Sequence, residues 1–216
     1  MLRDIAVARV KTFLGFKKNL DAEIVQAMIE VQQMAEDDPQ LPWFLRKSYS
    51  AFATVALQKN LSVPTDFIRE EPEDVMSLTT TDGGEHLVVR EERSFLRLRL
   101  PDVDIDTGLS DPGLPRAYAL VDNVFYFYPT PDQIYTINGT YYGNDTVLDT
   151  NIENKWLKNL PELLIARSGL MIAAGLRDKE ALANLAAMNQ MATAKLNNTS
   201  TANDMAGMKP VIGGED

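Results

Sequence analysis

The stretch Tyr141-Tyr142-Gly-Asn-Asp-Thr-Val-Leu-Asp-Thr-Asn-Ile-Glu-Asn-Lys-Trp156-Leu-Lys-Asn-Leu-Pro161-Glu-Leu-Leu164 contains the change of period that decides the fold. Upstream of it the chain alternates; downstream it repeats every three to four residues. The upstream runs are short and rich in Val, Tyr, Phe and Thr, separated by Pro, Gly and Asp, at residues 52–57, 67–70, 86–90, 95–100, 117–121, 124–128 and 134–142. Such runs predict six or seven short strands. Asp82-Gly83-Gly84 and Asp122-Asn123 are hairpin turn signals, so neighbouring runs should pair antiparallel. From Phe95 to Leu100 the alternation is strict, with Phe95, Arg97 and Arg99 opposed to Leu96, Leu98 and Leu100, as one wet and one dry strand face require.

Downstream, Trp156, Leu157, Leu160, Leu163, Leu164, Leu170, Met171 and Ala174 follow helical spacing, and Ala181, Leu182, Leu185, Met188, Ala192 and Leu196 follow it again. These predict a helical hairpin that turns near Arg177-Asp178. Gly169, Gly175 and many alanines let the helix axes approach closely. At the other end of the chain, Leu2, Ile5, Ala6, Arg9, Val10 and Phe13 form one stripe broken near Gly15, and Asp21 is placed to cap a second helix carrying Ile24, Met28, Val31 and Ala35. Neither stripe is wide enough to stand alone, so these helices are expected to pack on the C-terminal pair. The expected fold is α+β: a helical bundle formed by N- and C-terminal helices (residues 1–40 and 150–196) with an inserted antiparallel β-rich module (residues 41–149). Residues 197–216, poor in apolar periodicity and containing Gly207, Pro210, Gly213 and Gly214, read as a flexible C-terminal tail.

Composition removes several functions. The chain has 216 residues, 31 Asp and Glu against 21 Lys and Arg, and a formal net charge of -10. A protein that binds by neutralising phosphates is not built this way. It has no cysteine, which excludes disulfides and thiolate metal sites. Charges at Arg3, Asp4, Arg9 and Lys11 leave no apolar run for a signal peptide, and the longest apolar stretch, 163–176, is interrupted by Arg167 and falls short of the ~20 residues of a membrane span.

The clusters that could carry chemistry fail one by one. Asp102, Asp104 and Asp106 alternate like the start of a calcium loop, but Thr107 stands where the sharp turn needs glycine and Gly113 where a bidentate glutamate belongs. An acidic strand edge is the preferred reading. His86 is the only histidine and follows a glycine turn at the start of a strand, a poor place for a triad. No pair among the acidic residues is singled out for glycoside hydrolysis. The rings of Phe125, Tyr126, Phe127, Tyr128, Tyr135, Tyr141 and Tyr142 could stack on bases, yet no Lys or Arg lies between Val121 and Asp149. They are expected to be sheet core and interface.

Four pieces in one order resemble the bacteriophage head-to-tail adaptor family over most of residues 20–195. They are Pro39-Gln-Leu-Pro-Trp43-Phe44-Leu, Val63-Pro-Thr-Asp-Phe-Ile-Arg69, Val124-Phe-Tyr-Phe-Tyr-Pro-Thr-Pro-Asp132 with Tyr141-Tyr142, and Trp156 with Leu160-Pro161-Glu-Leu-Leu164. The resemblance implies a structural virion protein and no enzyme, cofactor or metal. It implies a ring of identical subunits, typically twelve, that binds the portal protein, extends the DNA channel and offers an attachment surface to tail or nozzle proteins. Genomic DNA would pass through without sequence-specific binding, and no membrane is involved. The implied location is the virion neck, after assembly in the host cytoplasm. Trp43, Phe44, Tyr141, Tyr142, Trp156 and Pro161, at the junctions between helices and sheet, are the interface candidates. The segment 102–115 and the tail depart from the family pattern, and either could dock on the portal or on the neighbouring subunit. The alternative from another class is a virion accessory protein that binds or cleaves carbohydrate with the Tyr-rich sheet.

Overall fold

The computed structural model describes residues 1–17, 19–49, 52–72, 75–94 and 112–207, with side chains to residue 199. The expected strand at 95–100 and the Asp102 to Asp106 cluster lie outside the described residues. The chain divides into two compact units: a helical one made of 1–45 and 145–216, and a β unit of 46–144. The fold is α+β, with N- and C-terminal helices flanking a β module.

The helical unit contains α1 (Arg3–Phe13), α2 (Asp21–Glu36), a 3-10 turn at Trp43–Leu45, α3 (Lys155–Asn159), α4 (Pro161–Leu176) and α5 (Lys179–Gly207). The central helix is α4, which packs on α2, α1 and α5, while α1 touches both α2 and α5. Centrality follows from composition: Leu163, Leu164, Ile165, Ala166, Ser168, Gly169 and Ala173 are all buried, so α4 is apolar on more than one face. Gly169 sits against the fully buried Leu185 of α5, where an added Cβ would lie 2.9 and 3.0 Å from the two leucine Cδ atoms.

Four helical expectations are corrected. The Trp156 helix is two helices, because Pro161 has no N–H and restricts Leu160, which takes φ -141° and ψ 52°; Pro161 then serves as the first residue of α4. Asp21 does not cap α2. It lies in the first turn, where Leu20 is the N-cap and Asp21 pairs with Lys11 at 2.7 Å. The stripe of α1 is also shifted: Ala6, Val7 and Val10 are buried, whereas Leu2, Ile5 and Phe13 are exposed. Small side chains bring α1 close to its neighbours and leave the large ones outside. Finally, α5 runs on to Gly207, so the segment 197–207 is helical and not a structureless tail. Apolar periodicity reports a buried face; a helix without one leaves no such mark.

The β unit holds ten short strands among the described residues, in three sheets ordered β1-β10-β3, β2-β8-β7-β6 and β5-β4-β9. They are β1 (Arg46–Ser48), β2 (Asn60–Ser62), β3 (Phe67–Glu70), β4 (Ser77–Thr79), β5 (Glu85–Leu87), β6 (Val89–Arg90), β7 (Ala117–Val121), β8 (Val124–Tyr128), β9 (Thr136–Asn138) and β10 (Thr140–Gly143). The pairing is antiparallel except for β6 beside β7, where Val89 faces Ala117 in parallel. Residues 91–116 give that pair the long connection that parallel strands need. The hairpin β7–β8 turns on Asp122 and Asn123, both at positive φ (51° and 60°), with Val121 opposite Val124. This is the two-residue turn whose twist matches the strands. The run 52–57 forms only a bridge, Ala53 to Thr136.

Candidate functional site

Buried aromatic rings hold the β unit together. Phe125, Phe127 and Tyr135 are buried with Tyr49, Tyr118, Tyr141, Leu78 and Ile137 in one cluster. Tyr141 stacks on Tyr49 with centroids 4.8 Å apart and on Phe67 at 5.7 Å. Its hydroxyl donates to Asp66 Oδ1 at 3.0 Å, and burial together with that carboxylate pushes its pKa up to about 12. Tyr142 is buried too, with the Arg46 and Arg69 guanidinium groups 5.7 and 5.2 Å from its ring centre. Most of the aromatic run is therefore core, with Tyr126 half-buried beneath the Arg93 guanidinium.

A groove of about 640 Å³ opens on this unit between Phe67, Glu70, Val75, Val89, Arg90 and Tyr118. Three of its polar groups are engaged with one another. Tyr118 donates to Glu70 Oε1 at 2.6 Å, and Arg90 meets Glu70 Oε2 at 2.8 Å. Burial and then the Glu70 carboxylate hold the Tyr118 phenol well above its ordinary pKa. A neutral phenol locked to a paired carboxylate has no free proton acceptor to offer a substrate. His86 lies exposed on β5, and no group of three His, Cys, Asp or Glu side chains among the described residues could hold a metal.

In the helical unit, the stretch that announces the fold is tied down by a buried polar network. Glu36, at the end of α2, accepts at Oε1 from Trp156 Nε1 (2.8 Å), Gln32 Nε2 (2.9 Å) and Asp145 N (3.3 Å). Asn154 donates to Gln32 Oε1 and to Thr146 O, each at 3.0 Å, and caps α3 by accepting from Leu157 N at 2.9 Å. Asp145 accepts from the backbone N–H groups of Lys155 and Trp156. Burial raises the Glu36 pKa, with repulsion from Asp145 adding to it and the three donors opposing it. Every side chain here satisfies another, as a buried network must.

The six interface candidates separate by exposure. Phe44 and Trp156 are buried and meet edge to face, 5.1 Å apart at 87°. Tyr141 and Tyr142 are buried in the β unit, and Pro161 is half-buried at the start of α4. Trp43 stays 37% exposed, resting edge-on against Phe44 at 5.9 Å. A surface absent from the sequence reading lies on α1, where Ile5 is 51% and Phe13 37% exposed. Beside it a groove of about 250 Å³ is lined by Arg9, Thr12, Phe13, Glu162, Ile165 and Met188. The signal was present as the 5, 9, 12/13 spacing, but it was merged with the buried stripe.

The whole organisation, two terminal helices, a β module and a returning helical pair, is matched by the family model described as SU10 adaptor protein, over residues 3–211. The chain belongs to that family. It is accordingly a bacteriophage adaptor protein, a structural component of the virion that contacts other virion proteins. No curated protein matches the chain. Among the described residues of this adaptor, no helix is long and apolar enough to cross a membrane.

Proposed function

We propose that this adaptor forms a ring of identical subunits, twelve in number, between the portal and the tail, where it extends the DNA channel and gives tail or nozzle proteins their attachment surface. The family match over nearly the whole chain carries this reading. Charge supports it: a subunit with a formal net charge of -10 lines a channel without neutralising phosphates, so DNA can move through without the counterion release that would hold it. No catalytic step is assigned, because Tyr118, Glu70 and Arg90 of the large β-unit groove are paired with each other. The carbohydrate alternative loses its platform, since the tyrosines that would stack on sugar are mostly buried. Trp43 is the junction aromatic still available to a partner.

The test is electron microscopy of the purified protein mixed with the portal of the same phage. A coaxial ring with twelve repeats stacked on the portal is expected. Failure to associate with portal at any protein concentration would overturn the reading.

A further inference from the structure

The face of α1 that turns away from its own bundle has the makings of a joint. Ile5, Arg9, Thr12 and Phe13 fall on one side of the helix, while Ala6, Val7 and Val10 are buried on the other. A helix with a second apolar stripe in water is either cushioned by a partner or an exposed liability. The adjoining groove, completed by Ile165 of α4 and Met188 of α5, is about 250 Å³. That is below the ~300–1,000 Å³ of small-molecule sites, and fits one long side chain from another protein. At its rim Glu162 pairs with Lys195 at 3.7 Å, so those two charges offset each other. Arg9 is exposed and makes no hydrogen bond or ion pair among the described residues. The rim is therefore apolar with one uncommitted cation.

The complement stands on α2. Its sixteen residues include Asp21, Glu23, Glu30 and Glu36 and no Lys or Arg. Its outer face carries Met34, 62% exposed, with Glu30 one turn before and Asp37 and Asp38 one turn after. An apolar knob flanked by carboxylates is what a hydrophobic groove with a free arginine would take. The two surfaces are built by different helices: residues of α1, α4 and α5 line the groove, and the knob stands on α2. Two different patches that meet between copies give a head-to-tail contact, which closes into a ring when its rotation divides the circle.

We propose that the α1/α4/α5 groove of one copy receives the outer face of α2 of the next, with Met34 seated against Phe13, Ile165 and Met188 and with Glu30 and Asp37 facing Arg9. This inference rests on the ring reading and gives it a surface. A methionine suits the role because its unbranched, polarizable side chain adapts to an irregular groove.

The absence of cysteine makes the test clean. Phe13→Cys, Met34→Cys and the double variant are purified, shown to melt with the parent protein, and treated at high concentration with a short bismaleimide. The double variant is expected to give a ladder of dimers, trimers and larger species, while neither single variant links. As a second measurement, Arg9→Glu should weaken self-association at least about fivefold, in line with an exposed charge pair turned repulsive, and Glu30→Lys with Asp37→Lys should restore it. Dimers from Phe13→Cys alone would mean groove against groove and overturn the head-to-tail contact. An oligomer that forms without linking in the double variant would remove this surface and leave the ring standing. A strictly monomeric, unlinked protein at every concentration would overturn a second copy as the occupant, whereas the adaptor reading falls only if portal association fails as well.

Discussion

The contact between Gly169 of α4 and Leu185 of α5 gives a sharp test of the bundle's packing. A Cβ on Gly169 would lie 2.9 and 3.0 Å from Leu185 Cδ1 and Cδ2, and Leu185 is completely buried, so its side chain has little room to retreat. Gly169→Ala has two opposing effects. Alanine is favoured over glycine within a helix by about 1 kcal/mol, while overpacking a filled core costs about 1–3 kcal/mol. The net expectation is a loss of roughly 0–2 kcal/mol. Leu185→Ala removes the atoms that would clash and should cost about 2–5 kcal/mol by leaving a cavity. In that background the added methyl meets space, so Gly169→Ala should become stabilising by about 1 kcal/mol. The coupling between the two sites is then about 1–3 kcal/mol.

The assay is urea unfolding followed by tryptophan emission, since Trp43 and Trp156, the two tryptophans of the chain, both belong to the helical unit. Equal m-values across the four proteins are required for the comparison. If Gly169→Ala destabilises the Leu185→Ala protein as much as it does the parent, within about 0.5 kcal/mol, steric contact with Leu185 is not what selects glycine at this position.

Two further outcomes follow from the turn and the buried network. Asn123→Gly should stabilise the β unit by about 0.5–1 kcal/mol by relieving a left-handed backbone, while Asn123→Val should destabilise it by about 1–2 kcal/mol. All seven tyrosines lie in the β unit, so the near-UV tyrosine signal reports it, and equal stability of the two variants would sink the turn assignment. Glu36 has a folded pKa raised above 4.5, so the native state holds its proton more tightly than the unfolded chain does. Its contribution is therefore greatest below that value and is lost as pH rises through the raised folded pKa, by at most about 1.4 kcal/mol per pH unit for one proton. Glu36→Gln keeps an acceptor for Trp156 Nε1 and should remove that slope. Urea midpoints of the two proteins that stay parallel from pH 4 to 8 would show that Glu36 is not the group responsible.

The alternation of helix and sheet was legible because burial imposes periods of 3.6 and 2 on long or strongly apolar segments. The pair β7–β8 was readable to the residue, as Val, Tyr and Phe alternate on either side of a two-residue turn. By contrast Arg46-Lys-Ser48, Asn60-Leu-Ser62 and Ser77-Leu-Thr79 are too short and polar to show a period. They are strands because distant partners supply their hydrogen bonds: β10 for β1, β8 for β2, and β5 with β9 for β4. The break at Pro161 was hidden for a different reason: Leu157, Leu160 and Leu164 stay in phase across it, and hydrophobic spacing does not register a missing N–H. The interface candidates stand at junctions between helices and sheet in the sequence, yet Phe44, Tyr141, Tyr142 and Trp156 are large aromatics used inside their own units. The groove on α1 draws Phe13, Ile165 and Met188 from three separated segments, and only the folded helical unit brings them together.

The charge on α2 shows why that groove is more than a packing defect. Within one subunit, a helix gains from opposite charges spaced by four residues and from cations in its last turn, where the carbonyl ends of the peptide dipoles accumulate negative charge. α2 forgoes both: it contains no Lys or Arg, and Asp37 and Asp38 follow its C-terminal end directly. Glu36 is offset by the indole and amide donors around it, but Glu30 and Asp37 form no ion pair among the described residues, where Lys11 and Lys17 pair with Asp21 and Asp178. These carboxylates therefore oppose the stability of the isolated helix, while on α1 the unpaired Arg9 and the open part of the Phe13 ring face solvent in the single copy. Two unfavourable features that are complementary in charge and shape lower the free energy when they meet, and within a single copy they belong to different helices. Contact between copies resolves both at once.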